Sequence, residues 1–244
     1  MVATSRWLKT QGVSRQLADT YKRYAWLAPV GHGAYARAGD TVRWTGALHA
    51  LQQDPGCGVH AAGKTALEIL GYGHFLPADE RAPVWLLGQP GERLPIWFTR
   101  GPWATALRYA AAGLFAPPQQ TRLGMTDRDV DGLPVRLSAP ERAILEVLYF
   151  VPQLQSFEEA RLLMEGLATL RPKLMQELLE ACAFIKVKRL FLALADASSH
   201  AWVSQLDPKR VDLGNGKRQI VRGGRLHPKY HITVPADFLR TPES

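Results

Sequence analysis

Cysteine is scarce in this chain: Cys57 and Cys182 are the only two, far apart and in different expected segments. A disulfide framework is thereby excluded, and both read as core or free thiols of a reducing compartment. Long apolar runs are also lacking. No stretch approaches the roughly 20 residues that a membrane helix needs. The start, MVATSRWLKTQ, has no apolar core of a secretory signal, so no membrane association and a cytoplasmic location are expected. Catalytic signatures are equally thin. No G-x-S-x-G occurs, which leaves Ser198-Ser199-His200 without a nucleophile elbow. Cys57-Gly58-Val59-His60 is not followed by a second Cys/His pair at metal-ligand spacing. His227 and His231 are four apart, but Pro228 and the neighbouring glycines argue against a shared helix face. Asp127, Asp129 and Asp131 lack the glycine and glutamate of a calcium loop and, like Glu158-Glu159, read as solvated acids, the first three in a turn region. No catalytic residue, metal ligand or cofactor is expected, and no enzyme.

What is present is a globular composition, 46% apolar and 21% charged over 244 residues, enough for one large domain or two ordinary ones. The net charge of +8 is unevenly spread. Residues 1–50 hold seven Lys/Arg against two Asp/Glu, residues 51–180 twelve against fifteen, and residues 181–244 eleven against five. Basic ends around a near-neutral middle suit a polyanionic partner.

The stretch Thr4 to Arg37 reads as two short helices, a tight turn between them, and a β-hairpin. Thr4 and Ser5 cap a first helix running to Thr10, with Trp7 and Leu8 inward. Gly12 gives the turn its freedom and Ser14 caps the second helix. There Leu17, Tyr21 and Tyr24 share one side by three- and four-residue spacing, expected to be the core side, and Arg15, Gln16, Asp19, Lys22 and Arg23 the other. Residues 26–30 and 34–37 form two strands around Gly31-His32-Gly33. This is the order of a helix-turn-helix with a wing.

Further along, residues 44–51 read as a helix ending before Asp54-Pro55-Gly56, and residues 63–70 as another, with Leu67 and Leu70 inward. Residues 82–87 and 94–99 are β-rich runs around Gly88-Gln89-Pro90-Gly91, the pattern of an antiparallel hairpin. Residues 119–125 and 133–137 add two strands joined through Asp131-Gly132. Ser138-Ala139-Pro140-Glu141 reads as a helix start with serine as cap. Residues 157–170, 172–184 and 187–196 are helical in character, and residues 218–222 and 230–235 are strands. A boundary near residue 80 divides the chain.

One motif promises more than its surroundings deliver. Residues 58–65, GVHAAGKT, fit the phosphate-loop pattern G-x-x-x-x-G-K-[ST]. Such a loop needs a buried strand ahead of it, and residues 51–57 read as a helix end and a turn. Leu190 to Asp196, the stretch that would supply a magnesium aspartate, is Leu/Ala-rich and helical. The C-terminal basic group, Lys209, Arg210, Lys217, Arg218, Arg222, Arg225 and Lys229, is interleaved with glycine turns and strands. It suits phosphates, an acidic RNA or protein partner, or simply a soluble surface.

Four stretches together resemble the AbiEi family, the antitoxin and repressor component of type IV toxin–antitoxin systems. They are Val2-Ala3-Thr4-Ser5 with Trp7-Leu8, Gly12-Val13-Ser14, Trp26-Leu27, Gly31 and Gly33-Ala34-Tyr35; Thr65-Ala66-Leu67-Glu68 with Leu70-Gly71-Tyr72; Ser138-Ala139-Pro140-Glu141-Arg142-Ala143; and Val187-Lys188-Arg189-Leu190 through Gly216-Lys217-Arg218 to Ile232-Thr233-Val234-Pro235. The resemblance implies a winged helix that represses its own operon, and a C-terminal domain that opposes a co-encoded nucleotidyltransferase toxin without a stable complex. It also implies that a helix common ahead of such a pair is shortened or missing here.

The expected fold is α+β: a winged-helix DNA-binding domain with a helical extension over residues 1–80, and a mixed α+β antitoxin domain over 81–244. The partner expected is double-stranded operator DNA, the state a monomer or weak dimer. Arg15 and Gln16 are the base-reading candidates. Ser14, Thr20, Lys22 and Arg23 approach phosphates, and His32 with Arg37 serves the wing. The alternatives are a phosphate-loop nucleotide-binding protein and an interaction module whose winged helix does not bind DNA.

Overall fold

A computed structural model describes residues 1–73, 82–116 and 122–238. The expected boundary near residue 80, and residues 119–121 of an expected strand, lie outside these. The fold is mixed α+β, and the described chain groups into two compact units. One holds residues 1–61, 79–112 and 126–137, the other residues 62–78, 113–125 and 138–244.

In the first unit, β1 (Val2–Thr4), α1 (Ser5–Thr10), α2 (Arg15–Arg23), β2 (Leu27–Gly31) and β3 (Ala34–Arg37) follow one another without a gap longer than a turn. The strands form a three-stranded sheet in the order β1-β3-β2, antiparallel throughout. The short strand β1, which no periodicity announces, pairs Val2 with Ala36 and Thr4 with Ala34. Helix α3 (Trp44–Gln52) buries Leu48 and Leu51. A five-stranded sheet completes the unit, in the order β6 (Leu107–Ala111), β5 (Val84–Gly88), β4 (His60–Ala61), β8 (Leu133–Ser138), β7 (Met125–Val130).

This sheet corrects the hairpin expected over residues 82–99. Strand β5 pairs in parallel with β6 and antiparallel with β4, while Ile96–Thr99 is a turn of helix, α5. Pro95 stands at its N-cap, and the adjacent Trp97 and Phe98 are both buried, which a half-buried strand would not allow. The aspartate series is also corrected: Asp127 and Asp129 lie on β7, not in a loop. Asp131 and Gly132, with φ of 56° and 78°, make the two-residue turn between β7 and β8. Asp131 accepts hydrogen bonds from Arg43 (2.6 Å) and Thr45 (2.8 Å).

The second unit is chiefly helical: α4 (Gly63–Ile69), α6 (Pro140–Phe150), α7 (Phe157–Gly166), α8 (Pro172–Ala181) and α9 (Ile185–Ser198), followed by β9 (Arg218–Gln219), β10 (Arg225–Leu226) and β11 (Ile232–Val234). Within its apolar core lies a buried salt bridge. Arg142 and Glu146, one turn apart on α6 and both fully buried, are joined Nε to Oε1 at 2.8 Å. Glu146 also accepts from the Ser138 hydroxyl (2.8 and 2.9 Å) and the Gly63 N–H (3.0 Å). Arg142 donates to the Leu123 carbonyl at 3.0 Å and lies over the Phe115 ring. Gly124, at φ +69°, passes so close that a Cβ there would sit 2.9 Å from that of Arg142. Ser138 is therefore not the helix cap: Ala139 holds that position without a side-chain bond, and the serine serves the buried carboxylate.

One helical turn away, Glu141 takes a two-point bond from Arg171 (2.9 Å twice) and its backbone N–H (2.8 Å). Burial works to raise the Glu141 pKa, but these bonds outweigh it and hold the carboxyl below its ordinary value. Lys186 closes the other end of α6 by donating to the Tyr149 (2.9 Å) and Val151 (2.6 Å) carbonyls.

Three outcomes are expected. Glu146→Ala strands a buried guanidinium and should cost about 3–5 kcal/mol in urea denaturation; a loss under about 1 kcal/mol would mean the pair is not central. Glu141 contributes stability that is present above its unfolded pKa, about 4.3, and is lost as pH falls through its lower folded value. Stability measured from pH 6 to 2 should thus fall more steeply in the wild type than in Glu141→Gln. Finally, α2 ends with Ala25 at φ 53°, where the Trp26 and Ala25 N–H groups bond the Tyr21 (2.9 Å) and Lys22 (3.0 Å) carbonyls. Glycine is at ease in that left-handed position, so Ala25→Gly should raise stability by about 1 kcal/mol, read as a higher denaturation midpoint.

Candidate nucleic-acid interface

Local chemistry places the N-terminal helices. Thr4 Oγ1 accepts from the Trp7 N–H at 3.1 Å, and Ser14 Oγ from the Leu17 N–H at 3.2 Å, so both helices begin with a side-chain cap. Gly12, at φ +79°, turns the chain between them. Leu8 is buried and Trp7 half-buried, as the spacing predicts.

Helix α2 sits differently from its expected orientation. Its one buried residue is Ala18. Leu17 and Tyr24, expected inward, are exposed, with Tyr24 at 65%; Tyr21 is half-buried and packs against the Trp26 ring at 5.4 Å. The side turned furthest from Ala18 carries Gln16, Thr20 and Arg23 at four- and three-residue spacing, with Arg15 and Asp19 to its flank. The Thr20 hydroxyl donates to the Gln16 carbonyl at 3.0 Å. Lys22 lies nearer the Ala18 side, paired with Asp19 and 5.7 Å over the Tyr35 ring. Their hydrogen bond lowers the Asp19 pKa and raises that of Lys22, so both are charged.

The hairpin β2–β3 turns through His32 and Gly33, with His32 and Arg37 exposed. Strand β2 meets α5 so closely at Gly31 that a Cβ there would fall 2.7 Å from that of Trp97. The hairpin is thus held against the unit by backbone contact, and its tip leaves His32 facing solvent. Ser14, Arg15, Gln16 and Arg23 are exposed as well, and Thr20 half-exposed. These side chains are brought onto one local structure by α2 and the hairpin.

The second basic group divides by partner. Arg210 pairs with Glu180 at 2.9 Å, and Lys229 with Asp196 at 2.6 Å, where Asp196 also accepts from the Tyr230 hydroxyl at 2.7 Å. Lys209 follows the Asp207 cap, its side chain exposed. Lys217, Arg218, Arg222 and Arg225 are exposed and form no ion pair among the described residues. They are carried by the three-stranded sheet β10-β11-β9 and its turns. Sequence reasoning missed the residue that organises them. Arg189, buried on α9, donates to the carbonyls of Leu213 (2.7 Å), Gly214 (2.9 Å) and Gly216 (2.6 Å). A buried arginine amid an apolar helical run was the available signal.

The phosphate-loop match dissolves in its own hydrogen bonds. Strand β4 lies inside the motif, at His60–Ala61, rather than ahead of it. The Gly58 N–H donates to Glu92 at 2.9 Å, the Gly63 N–H to Glu146, and Lys64 to Glu159 at 2.6 Å. Groups that would cradle phosphate are already given to carboxylates. Burial pushes the Cys57 thiol up to about 11 and raises that of Cys182, so neither is a ready nucleophile. Among the described residues no group of three His, Cys, Asp or Glu is placed to hold a metal, and no helix is long and apolar enough to cross a membrane.

No curated protein sequence matches the chain. In fold it is similar to the crystal structure of RV2827C protein from Mycobacterium tuberculosis, with a TM-score of 0.57 and 16% identity over 95% of this chain and 85% of the other. The description "Transcriptional regulator, AbiEi antitoxin N-terminal domain" matches residues 1–78. "Transcriptional regulator, AbiEi antitoxin, Type IV TA system" matches residues 81–235. With both ends of the chain covered in order, this protein belongs to the AbiEi family of transcriptional-regulator antitoxins of type IV toxin–antitoxin systems.

Proposed function

We propose that the protein is a DNA-binding repressor of its own operon and the antitoxin to a co-encoded nucleotidyltransferase toxin, which it opposes without a stable complex. In this reading α1, α2 and the β2–β3 hairpin are a winged helix-turn-helix, α2 enters the major groove, and the hairpin is the wing. The observation that carries it is the exposed stripe Gln16–Thr20–Arg23 on a helix capped by Ser14 and backed by Ala18. Gln16 is the base reader on that stripe, with Arg15 beside it; Ser14, Thr20 and Arg23 reach phosphates, and His32 and Arg37 act from the wing. Lys22, held by Asp19 and Tyr35, steadies the helix and approaches phosphate less directly.

The family matches support residues 1–80 as the DNA-binding domain with its helical extension, and residues 81–244 as the antitoxin domain. Each compact unit draws on both stretches. Lys209, Lys217, Arg218, Arg222 and Arg225 form the second basic surface, for DNA or for toxin antagonism, with Arg210 and Lys229 bound into its frame. The protein acts in the cytoplasm as a monomer or weak dimer, with no cofactor.

The test is a salt-titrated mobility shift on the DNA upstream of the gene, beside Arg15→Ala/Arg23→Ala. Wild-type affinity should fall steeply with salt. The variant should bind at least ten-fold more weakly, with the slope of log affinity against log salt shallower by about 1–2. No shift at low salt, or an unchanged slope in the variant, overturns the assignment of α2.

A further inference from the structure

Between α1, α2 and the tip of the hairpin runs a groove of about 730 Å³. That is the size of a small-molecule site rather than of a surface dimple. Its floor is apolar: Leu8 and Ala18 are buried there, with Val13 and the Tyr35 ring beside them half-buried. Its rim is cationic. Lys9, Arg15 and Lys22 border it, and the single carboxylate on it, Asp19, is already neutralised by Lys22. Lys9 and Arg15 are exposed and form no ion pair among the described residues.

An apolar floor under unneutralised cations selects against a neutral hydrocarbon, which leaves the rim uncompensated, and against a bare inorganic anion, which leaves the floor wet. We propose that this groove binds a small monoanion with a flat apolar body, of the aromatic carboxylate class. Its ring lies on Leu8, Ala18 and Tyr35, and its carboxylate lies between Lys9 and Arg15. A consequence follows that rests on the proposed DNA-binding reading. Arg15 belongs both to the groove and to the face offered to DNA, so an anion held there neutralises charge that phosphates require. Ligand and operator then weaken each other by the same factor.

The test uses the full chain and 2-naphthoate, whose fluorescence reports binding. 2-Naphthalenemethanol, the same body without charge, and acetate, charge without the body, are the comparators. Saturable naphthoate binding is expected, with neither comparator displacing it at equal concentration. Lys9→Glu/Arg15→Glu, both on exposed positions and checked for unchanged circular dichroism, should weaken it at least ten-fold. Absence of saturable binding, equal binding of the alcohol, or unchanged affinity in the variant overturns the site. In a second arm, wild-type protein is shifted on its upstream DNA with and without saturating naphthoate. A fall in DNA affinity supports competition, and unchanged affinity overturns it. Naphthoate binding by a protein that shifts no DNA supports the groove while refuting the DNA-binding reading.

Discussion

The second unit depends on a charge pair that water never reaches. Arg142 and Glu146 are separated by one turn of α6, and besides each other they bond groups from elsewhere in that unit. The carboxylate gathers Ser138 and the Gly63 N–H, and the guanidinium gathers the Leu123 carbonyl and the Phe115 ring. An apolar pair of like volume would pack as well, but it would not tie the Gly63 N–H, the Leu123 carbonyl and the Ser138 hydroxyl, from three separated stretches of chain, to fixed atoms. Charges taken out of water are tolerable only when every remaining lone pair and N–H is used. The requirement explains Gly124 too, where the chain must pass within contact of the Arg142 stem. Thus Ser138-Ala139-Pro140-Glu141-Arg142-Ala143, one of the stretches by which the chain resembles its family, is internal wiring. Its one acid, Glu141, is held by Arg171, and its arginine, Arg142, by Glu146 one turn further on.

That wiring also shows why a motif can match in letters and fail in chemistry. A phosphate loop works because its N–H groups have no partner until phosphate arrives. In residues 58–65 the Gly58 N–H belongs to Glu92, the Gly63 N–H to Glu146, and the Lys64 ammonium to Glu159. A phosphate would have to displace carboxylates and then sit beside them. Position in the hydrogen-bond network, which spacing alone does not report, decides between the two readings.

What was legible in the sequence was local. Thr4 and Ser14 as caps, Gly12 as a turn, Gly31-His32-Gly33 at the hairpin tip and the run of C-terminal helices each have a cause within a few residues. Non-local pairings were not legible. Strand β5 takes its neighbours from β4 and from the parallel β6, with no mark in residues 82–99, while Pro95 quietly starts a helical turn instead of a return strand. The candidate site was legible in its residues and less so in its orientation. Three- and four-residue spacing pointed to Leu17, Tyr21 and Tyr24 as the core side of α2, whereas the small Ala18 is what the unit buries. In a helix of nine residues only one position need be covered, and the aromatic ring contacts beside it involve Trp26 rather than a deep core.

The same distinction governs the basic charge. Counting Lys and Arg treats every cation as available, yet an ammonium already facing a carboxylate contributes little net charge to a polyanion. Lys22, Arg210 and Lys229 are so engaged, and Arg189 and Arg142 are buried for structural ends. Arg15 and Arg23 on α2, and Lys209, Lys217, Arg218, Arg222 and Arg225 near the C-terminus, are exposed and form no ion pair among the described residues. Counterion release scales with the number of phosphates neutralised, so the salt dependence of binding should reflect this smaller set rather than the total of Lys and Arg. Among them, Arg15 and Arg23 stand on α2 with Gln16, and Lys217, Arg218, Arg222 and Arg225 on or beside the small C-terminal sheet with Gln219.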